Sequence, residues 1–171
     1  MEDLRKTFSK IYDQYVEKIY RFIFLKVNSQ EVAEDLTSET FLRTWEKFKQ
    51  GSGNPIENPQ AFLYRTARNL VIDYYREKSK AEVVSAEERS LLDPREDLQE
   101  IALKNSDLET IKKALASLKE DYQNVIIWHY LDDLPISEVA KLLGRTEEAT
   151  RVLLHRALVS LRQKLNSTKE V

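Results

Sequence analysis

Two stretches of this chain carry side chains suited to gripping a polyanion. In "RTEEATRVLLHRAL" (145–158), Arg145, Arg151 and Arg156 accompany Glu148, Val152 and His155. An arginine fork pairs bidentately with guanine, and a valine can touch a thymine methyl. Arg156, Arg162 and Lys164 are better spaced for phosphates. In "RTARNLVIDYYREKSK" (65–80), five basic residues meet two acidic ones; Tyr74 and Tyr75 are interleaved among them, and Phe62 and Tyr64 come just before. Basic side chains track phosphates while aromatic rings stack on unpaired bases, which suits single-stranded or melting DNA. The same pattern also describes a helix with tyrosines in the core and arginines in solvent. A third stretch, "HYLDD" (129–133), has the residue types of a metal site, but His129 between Trp128 and Tyr130 reads as a helix residue. The chain has no cysteine, no glycine-rich phosphate loop, and its two histidines are far apart. Catalytic residues, cofactors and metals are therefore all expected to be absent.

Helical periodicity must position these groups. Phe8, Ile11, Tyr12, Tyr15, Ile19 and Ile23 recur at helical spacing. A second helix is predicted from Gln30 to Lys49. Val32 and Leu36 share one of its faces, and Phe41, Trp45 and Phe48 take roughly the opposite one. Two apolar faces call for two partners, either within the domain or partly in another protein. "KQGSGNPIENP" (49–59) is a loop. Asn58 then Pro59 reads as a cap and first helical residue, opening a third helix over about 59–78. Further on, Leu108, Ile111, Leu115 and Leu118 mark a helix, and "DYQNVIIWHYLDDLP" gives another. Gly144 turns the chain, Thr146 can cap the next helix, and Ala140 permits close helix approach. Thr150, Leu154, Ala157, Leu161 and Leu165 form its buried stripe, leaving Glu148, Arg151, Val152 and His155 facing outward near its start. That is the layout of a helix-turn-helix recognition helix.

The formal net charge of −2 hides this organisation. Residues 81–110 hold nine acidic and three basic residues, while the blocks on either side are each mildly basic at +2. Residues 81–106, with Pro94 and poor periodicity, read as an acidic linker. The expectation is an all-α protein of two small helical domains, 1–80 and 107–171, joined by 81–106. "MEDLRKTFSKIYDQY" (1–15) lacks the apolar core of a signal peptide, the longest apolar run, "VIIW", is far short of a membrane span, and the cysteine-free composition fits a reducing compartment, so a cytoplasmic protein is expected.

Together the two blocks resemble an extracytoplasmic-function (ECF) sigma factor of the sigma-70 family over about 8–80 and 107–166. "AEDLTSETFLRTWEKF" (33–48) resembles the helix that docks on the RNA polymerase clamp. "NPQAFLYRTARNLVIDYYR" (58–76) resembles the helix that melts and holds the minus-10 element. "LKEDYQNVIIWHYLDDLPISEVAKLLGRTEEATRVLLHRALVSLR" (118–162) resembles the four-helix module that reads the minus-35 element. The resemblance implies a sigma region 2 bundle and a sigma region 4 helix-turn-helix module. It implies core polymerase contacts at Asp35, Leu36, Thr37, Glu39 and Phe41. It implies minus-10 contacts at Tyr64, Arg65, Arg68, Asn69, Asp73 and Arg76, with loop 49–57 capturing a flipped base. Minus-35 contacts fall at Arg145, Glu148, Arg151, Val152, His155 and Arg156. Core RNA polymerase, promoter DNA and an anti-sigma factor are the implied partners, without membrane insertion of its own.

Several positions depart from the family pattern. Ser38 stands where glutamine is usual, and Asp133-Leu134-Pro135 replaces Gly-Leu-Ser, removing the usual serine cap. His129 sits where arginine is common, and Thr150 replaces a valine on the buried stripe. Leu153 replaces a polar residue, which predicts fewer phosphate contacts or an altered minus-35 preference. The alternative reading is a stand-alone helix-turn-helix regulator with an N-terminal interaction domain. Dependence on polymerase separates the two.

Overall fold

A computed structural model describes residues 2–50, 56–84 and 107–169. Among these the chain is helical without strands. Helices α1 (Glu2–Val27), α2 (Gln30–Gln50) and α3 (Pro59–Val84) form the first body. The second comprises α4 (Asp107–Ala116), α5 (Glu120–Ile126) with a wider turn over Ile127–Leu131, α6 (Ile136–Leu143) and α7 (Glu147–Lys169). The predicted linker 81–106 lies largely outside the described residues. Its first four belong to α3, which runs to Val84 and so beyond both the expected helix end and the expected domain boundary. Residues 51–55 of the predicted base-capturing loop are likewise outside the description, whereas Lys49 and Gln50 finish α2.

Local chemistry sets the helix ends. The Ala61 amide donates to Asn58 Oδ1 at 3.1 Å, the cap expected ahead of Pro59. The Ala149 amide donates to Thr146 Oγ1 at 3.1 Å. Gly144 stops α6 at φ 66°, ψ 35°, the left-handed conformation for which glycine has no Cβ penalty. The Arg145 amide then donates to the Ala140 carbonyl at 3.0 Å. Pro135 precedes α6 without a side-chain cap. Asp133 adopts φ 55°, a left-handed position where the family pattern places glycine.

Within the first body α1, α2 and α3 pack against one another. Phe41 and Phe48 face Phe8 of α1, and Tyr12 meets Phe41 edge-on at 4.9 Å. Val32 and Leu36 pack against the common core. Both apolar faces of α2 thus find partners inside the protein. Thr37, Thr40 and Thr44 enter this interior because each hydroxyl donates to the carbonyl four residues back, at 2.6–2.7 Å.

The wider turn has a consequence for the whole molecule. The Asp132 amide reaches back five residues to the Ile127 carbonyl at 2.9 Å. Trp128 and Asp132 both come to lie on the first body. One contiguous core results, running from Ile19, Phe22 and Leu63 through Tyr64 and Trp128 to Val139 and Ala157.

Candidate nucleic-acid interface

The helix-turn-helix presents its chemistry outward. Thr150 and Ala157 are fully buried and Leu154 nearly so, which fixes the rotation of α7. That rotation leaves Arg145, Glu148, Arg151, Val152, His155 and Arg156 exposed, Val152 at 50 %. An exposed valine among arginines at the start of a helix fits a surface that meets base edges and methyl groups. Arg151 is held loosely by Glu147 one turn earlier at 3.7 Å. Arg145 donates to Asp121 Oδ2 of α5 at 2.9 Å. Lys119, Tyr122, His155, Arg156, Val159 and Gln163 border a shallow cavity beside this face. Leu153 is buried, so its departure from the family's polar residue is a packing change on the flank of the stripe.

On α3 the six sequence-derived positions separate. Asn69, Asp73 and Arg76 are exposed. Tyr64 has no exposed surface: its ring meets Phe22 and Trp128 edge-on at 5.5 and 5.7 Å, and its hydroxyl donates to Asp132. In this conformation Tyr64 is a core residue, a correction to its assignment as a DNA contact; interleaving of aromatic and basic residues did not distinguish stacking rings from core rings. Burial, reinforced by the Asp132 carboxylate, pushes its phenol well above the usual range. Arg65 is exposed but donates to the Lys141 carbonyl at 3.2 Å. Arg68 forks onto Glu120 at 2.7 and 3.2 Å and approaches Asp121 at 3.8 Å.

The seam holds one further cation. Lys26 is 2 % exposed, donates to Asn124 Oδ1 and lies 3.5 Å from Glu120 and 4.6 Å from the Phe22 ring centre. Burial pulls its amine down to about 8, against the opposing pull of Glu120. Burial raises the Glu120 carboxyl, but the Arg68 hydrogen bonds and Lys26 charge outweigh it, so the net displacement is downward. Arg21 donates to Asp132 and to the Leu131 carbonyl. Lys26, Val71, Tyr75, Arg76, Glu120 and Gln123 border a cavity of about 510 Å³ along the seam. None of the seam pairings was legible from spacing, because each joins residues about 50 to 110 positions apart.

The polymerase positions also separate. Asp35 is exposed, and Glu39 pairs with Arg43 on the α2 surface at 2.9 Å. Phe41 and Thr37 are buried and support the helix from within rather than facing outward, whereas Leu36 is half-buried against the core. Sequence reasoning missed Leu42, which is 51 % exposed between them on the outer face. Its i+3 spacing from Glu39 was the available signal. His129 hydrogen-bonds through Nδ1 to the Leu134 carbonyl at 2.9 Å, and Asp132 is committed to Arg21 and Tyr64. Among the described residues no helix is long and apolar enough to cross a membrane, and no three metal-ligating side chains converge.

Residues 11–81 match the Sigma-70 region 2 family, and residues 108–161 match Sigma-70, region 4. The chain is 30 % identical over 155 residues to the ECF RNA polymerase sigma factor BldN of Streptomyces coelicolor, covering 90 % of this chain and 58 % of that protein. It is 24 % identical over 168 residues to the RNA polymerase sigma factor YlaC of Bacillus subtilis, covering 97 % and 96 %. In fold it is similar to the sigma factor RpoE from Bartonella quintana, solved with the anti-sigma factor NepR. There the TM-score is 0.67 at 20 % identity, over 94 % of this chain and 98 % of that one.

Proposed function

The chain belongs to the sigma-70 family of transcription initiation factors, in its extracytoplasmic-function group, and from that premise we propose how its two bodies divide promoter recognition. The first body, 1–80, docks on core RNA polymerase through the outer face of α2, with Asp35 and Glu39 as charged contacts and Leu42 as the apolar one. The same body engages the minus-10 element through α3, using Arg65, Arg68, Asn69, Asp73 and Arg76. Residues 81–106 join it to the second body, 107–171. There Arg151, Val152 and His155 read the minus-35 duplex while Arg145 and Arg156 hold its phosphates. Glu148 lies on the same face, suited to accept from a cytosine amino group.

The observation that carries this reading is the rotation of α7, which buries Thr150 and Ala157 and turns every proposed minus-35 side chain to solvent. The protein supplies recognition and strand separation, and the polymerase supplies catalysis; it is not itself an enzyme. Action on bacterial promoters places it in the cytoplasm. An anti-sigma partner that covers the promoter- or polymerase-facing surfaces completes the scheme.

Run-off transcription with purified core polymerase on a promoter library tests the assignment. Initiation only with both proteins present is the expected result. Tight operator binding by the chain alone, with no polymerase-dependent initiation, would instead identify a stand-alone helix-turn-helix regulator.

A further inference from the structure

The cavity of about 510 Å³ beside Lys26 has an apolar lining that serves none of the proposed DNA or polymerase contacts. Its volume falls within the range of small-molecule sites, about 300–1,000 Å³. Val71, Ile72 and Tyr75 of α3 form one wall, and Ala116 and Leu118 of the second body form the other. Val71 and Leu118 are buried while Tyr75 is 43 % exposed, so apolar surface runs from the core out to solvent.

The polar groups of these walls are largely spent on the protein itself. The Tyr75 hydroxyl donates to the Lys26 carbonyl. The Gln123 amide donates to the Leu115 and Ala116 carbonyls at 3.0 and 2.9 Å. Glu120 accepts from Arg68 at 2.7 and 3.2 Å and from Asn124 at 2.8 Å, and lies 3.5 Å from Lys26. One charged lining group is left over. Arg76 is exposed and has no hydrogen-bond or ion-pair partner among the described residues. With Glu120 already offset by Arg68, Lys26 and Arg76 make this lining net positive, although the whole chain carries −2.

We propose that the cavity binds a small amphipathic anion, a single-chain carboxylate whose alkyl body lies between the walls and whose head group pairs with Arg76. A guanidinium takes a carboxylate bidentately, and the alkyl body gains by leaving water for the aliphatic walls. A head group bound there withholds Arg76 from the minus-10 strand. That consequence, unlike the binding itself, rests on the reading of α3 given above.

Calorimetric titration of the intact chain with decanoate, below its micelle-forming concentration, tests the site. Saturable one-to-one binding is expected, tighter than that of decylammonium, a cation with the same alkyl chain. Nonspecific attraction to a chain of net charge −2 would favour the cation, so preference for the anion reports the local charge of the cavity. Arg76→Gln should weaken decanoate binding about fivefold, the scale of one exposed ion pair, without weakening decylammonium. Ala116→Leu, which fills the cavity from its second wall, should weaken both. Arg76→Gln alters an exposed side chain, so it decides the matter even if Ala116→Leu fails to fold. Arg5 borders a separate cavity of about 350 Å³ with Phe8, Tyr12 and Trp45, and Arg5→Gln should leave decanoate binding unchanged. Absence of saturable binding, no preference for the anion, or sensitivity to Arg5→Gln instead of Arg76→Gln each overturns the proposal. Ligand-free run-off transcription keeps the two claims apart. If Arg76→Gln weakens decanoate binding but leaves initiation unchanged, the site stands and Arg76 fails as a minus-10 contact.

Discussion

Two helices of this protein are proposed to meet DNA, and they differ in how their side chains are spent in the folded chain. On α7 every proposed contact faces solvent, and among the described residues Arg151 pairs only loosely, with Glu147 of its own helix. On α3 the central side chains are committed to the second body: the core residue Tyr64 is fully enclosed, and the proposed contact Arg68 is bidentate to Glu120. Both stretches are arginine-rich with apolar residues interleaved, so composition makes them look equivalent. The difference arises from what packs against each. The buried stripe of α7 is covered by its own module, whereas α3 also receives α5 and the wide turn after it. A duplex reader can stand open because it meets a rigid preformed surface. The strand-separating surface is the one that the fold covers.

Substitutions at paired positions test that contrast. The largest effect is expected from Tyr64→Ala, which should lose about 3–5 kcal/mol in urea unfolding because a buried ring and its packing are removed. Val152→Ala on the open helix should stay within about 0.5 kcal/mol. Equal costs would dissolve the distinction between a covered and an open helix. Next comes Arg151→Glu, which exchanges a base-edge donor for a repelled carboxylate. Minus-35-dependent initiation should fall about 30- to 100-fold, with binding to core polymerase and thermal stability unchanged. A loss of stability there would mean that the guanidinium is structural.

A smaller gain is expected from Asp133→Gly. The residue sits at φ 55°, where a Cβ is disfavoured, and glycine relieves that strain while adding freedom to the unfolded chain. The net result should be stabilisation of about 0.5 kcal/mol, read as a raised denaturation midpoint. An effect of similar scale concerns pH. Burial lowers the Lys26 amine to about 8 from an ordinary 10.5. Above about pH 8 the unfolded or separated chain therefore binds more protons than the closed one, and closure gains as pH rises through this window. Below it Lys26 is charged in both states and its contribution is constant. Between pH 8 and 9 the native chain should gain up to about 1 kcal/mol relative to Lys26→Met, measured by urea unfolding at each pH. No difference between the two slopes would place Lys26 outside the seam's energetics.

Much of the architecture is legible in the residue order. The 3.6-residue recurrence marks α1 to α3, Asn58 and Thr146 announce helix starts, and Gly144 announces a stop because its backbone role is local. The rotation of α7 also follows from sequence, since its stripe and its polar face lie on one element. Failures appear where the deciding contact is distant. Phe41 and Tyr64 look like surface aromatics only until α1 and the second body are placed against them. Leu153 looks like a lost phosphate contact until it is seen beside the buried stripe. The wide turn at Ile127–Leu131 is hidden because "VIIWHYL" is apolar enough to suit several backbone paths. The acidic pair 120–121 reads as ordinary helix N-terminal charge, a role it keeps while also serving Arg68 across the seam.

Trp128 gives the molecule a built-in gauge. Its indole lies parallel to the Phe22 ring across the seam at 5.6 Å, with its Nε1 hydrogen buried and without a partner among the described residues. The other tryptophan, Trp45, is in the first body beside Phe8 and reports on a different environment. Parting the bodies would hydrate one indole and leave the other as an internal standard. Ultraviolet emission from the unlabelled protein would then shift to longer wavelength by a tryptophan whose neighbours are known, and Trp45→Phe would isolate that signal.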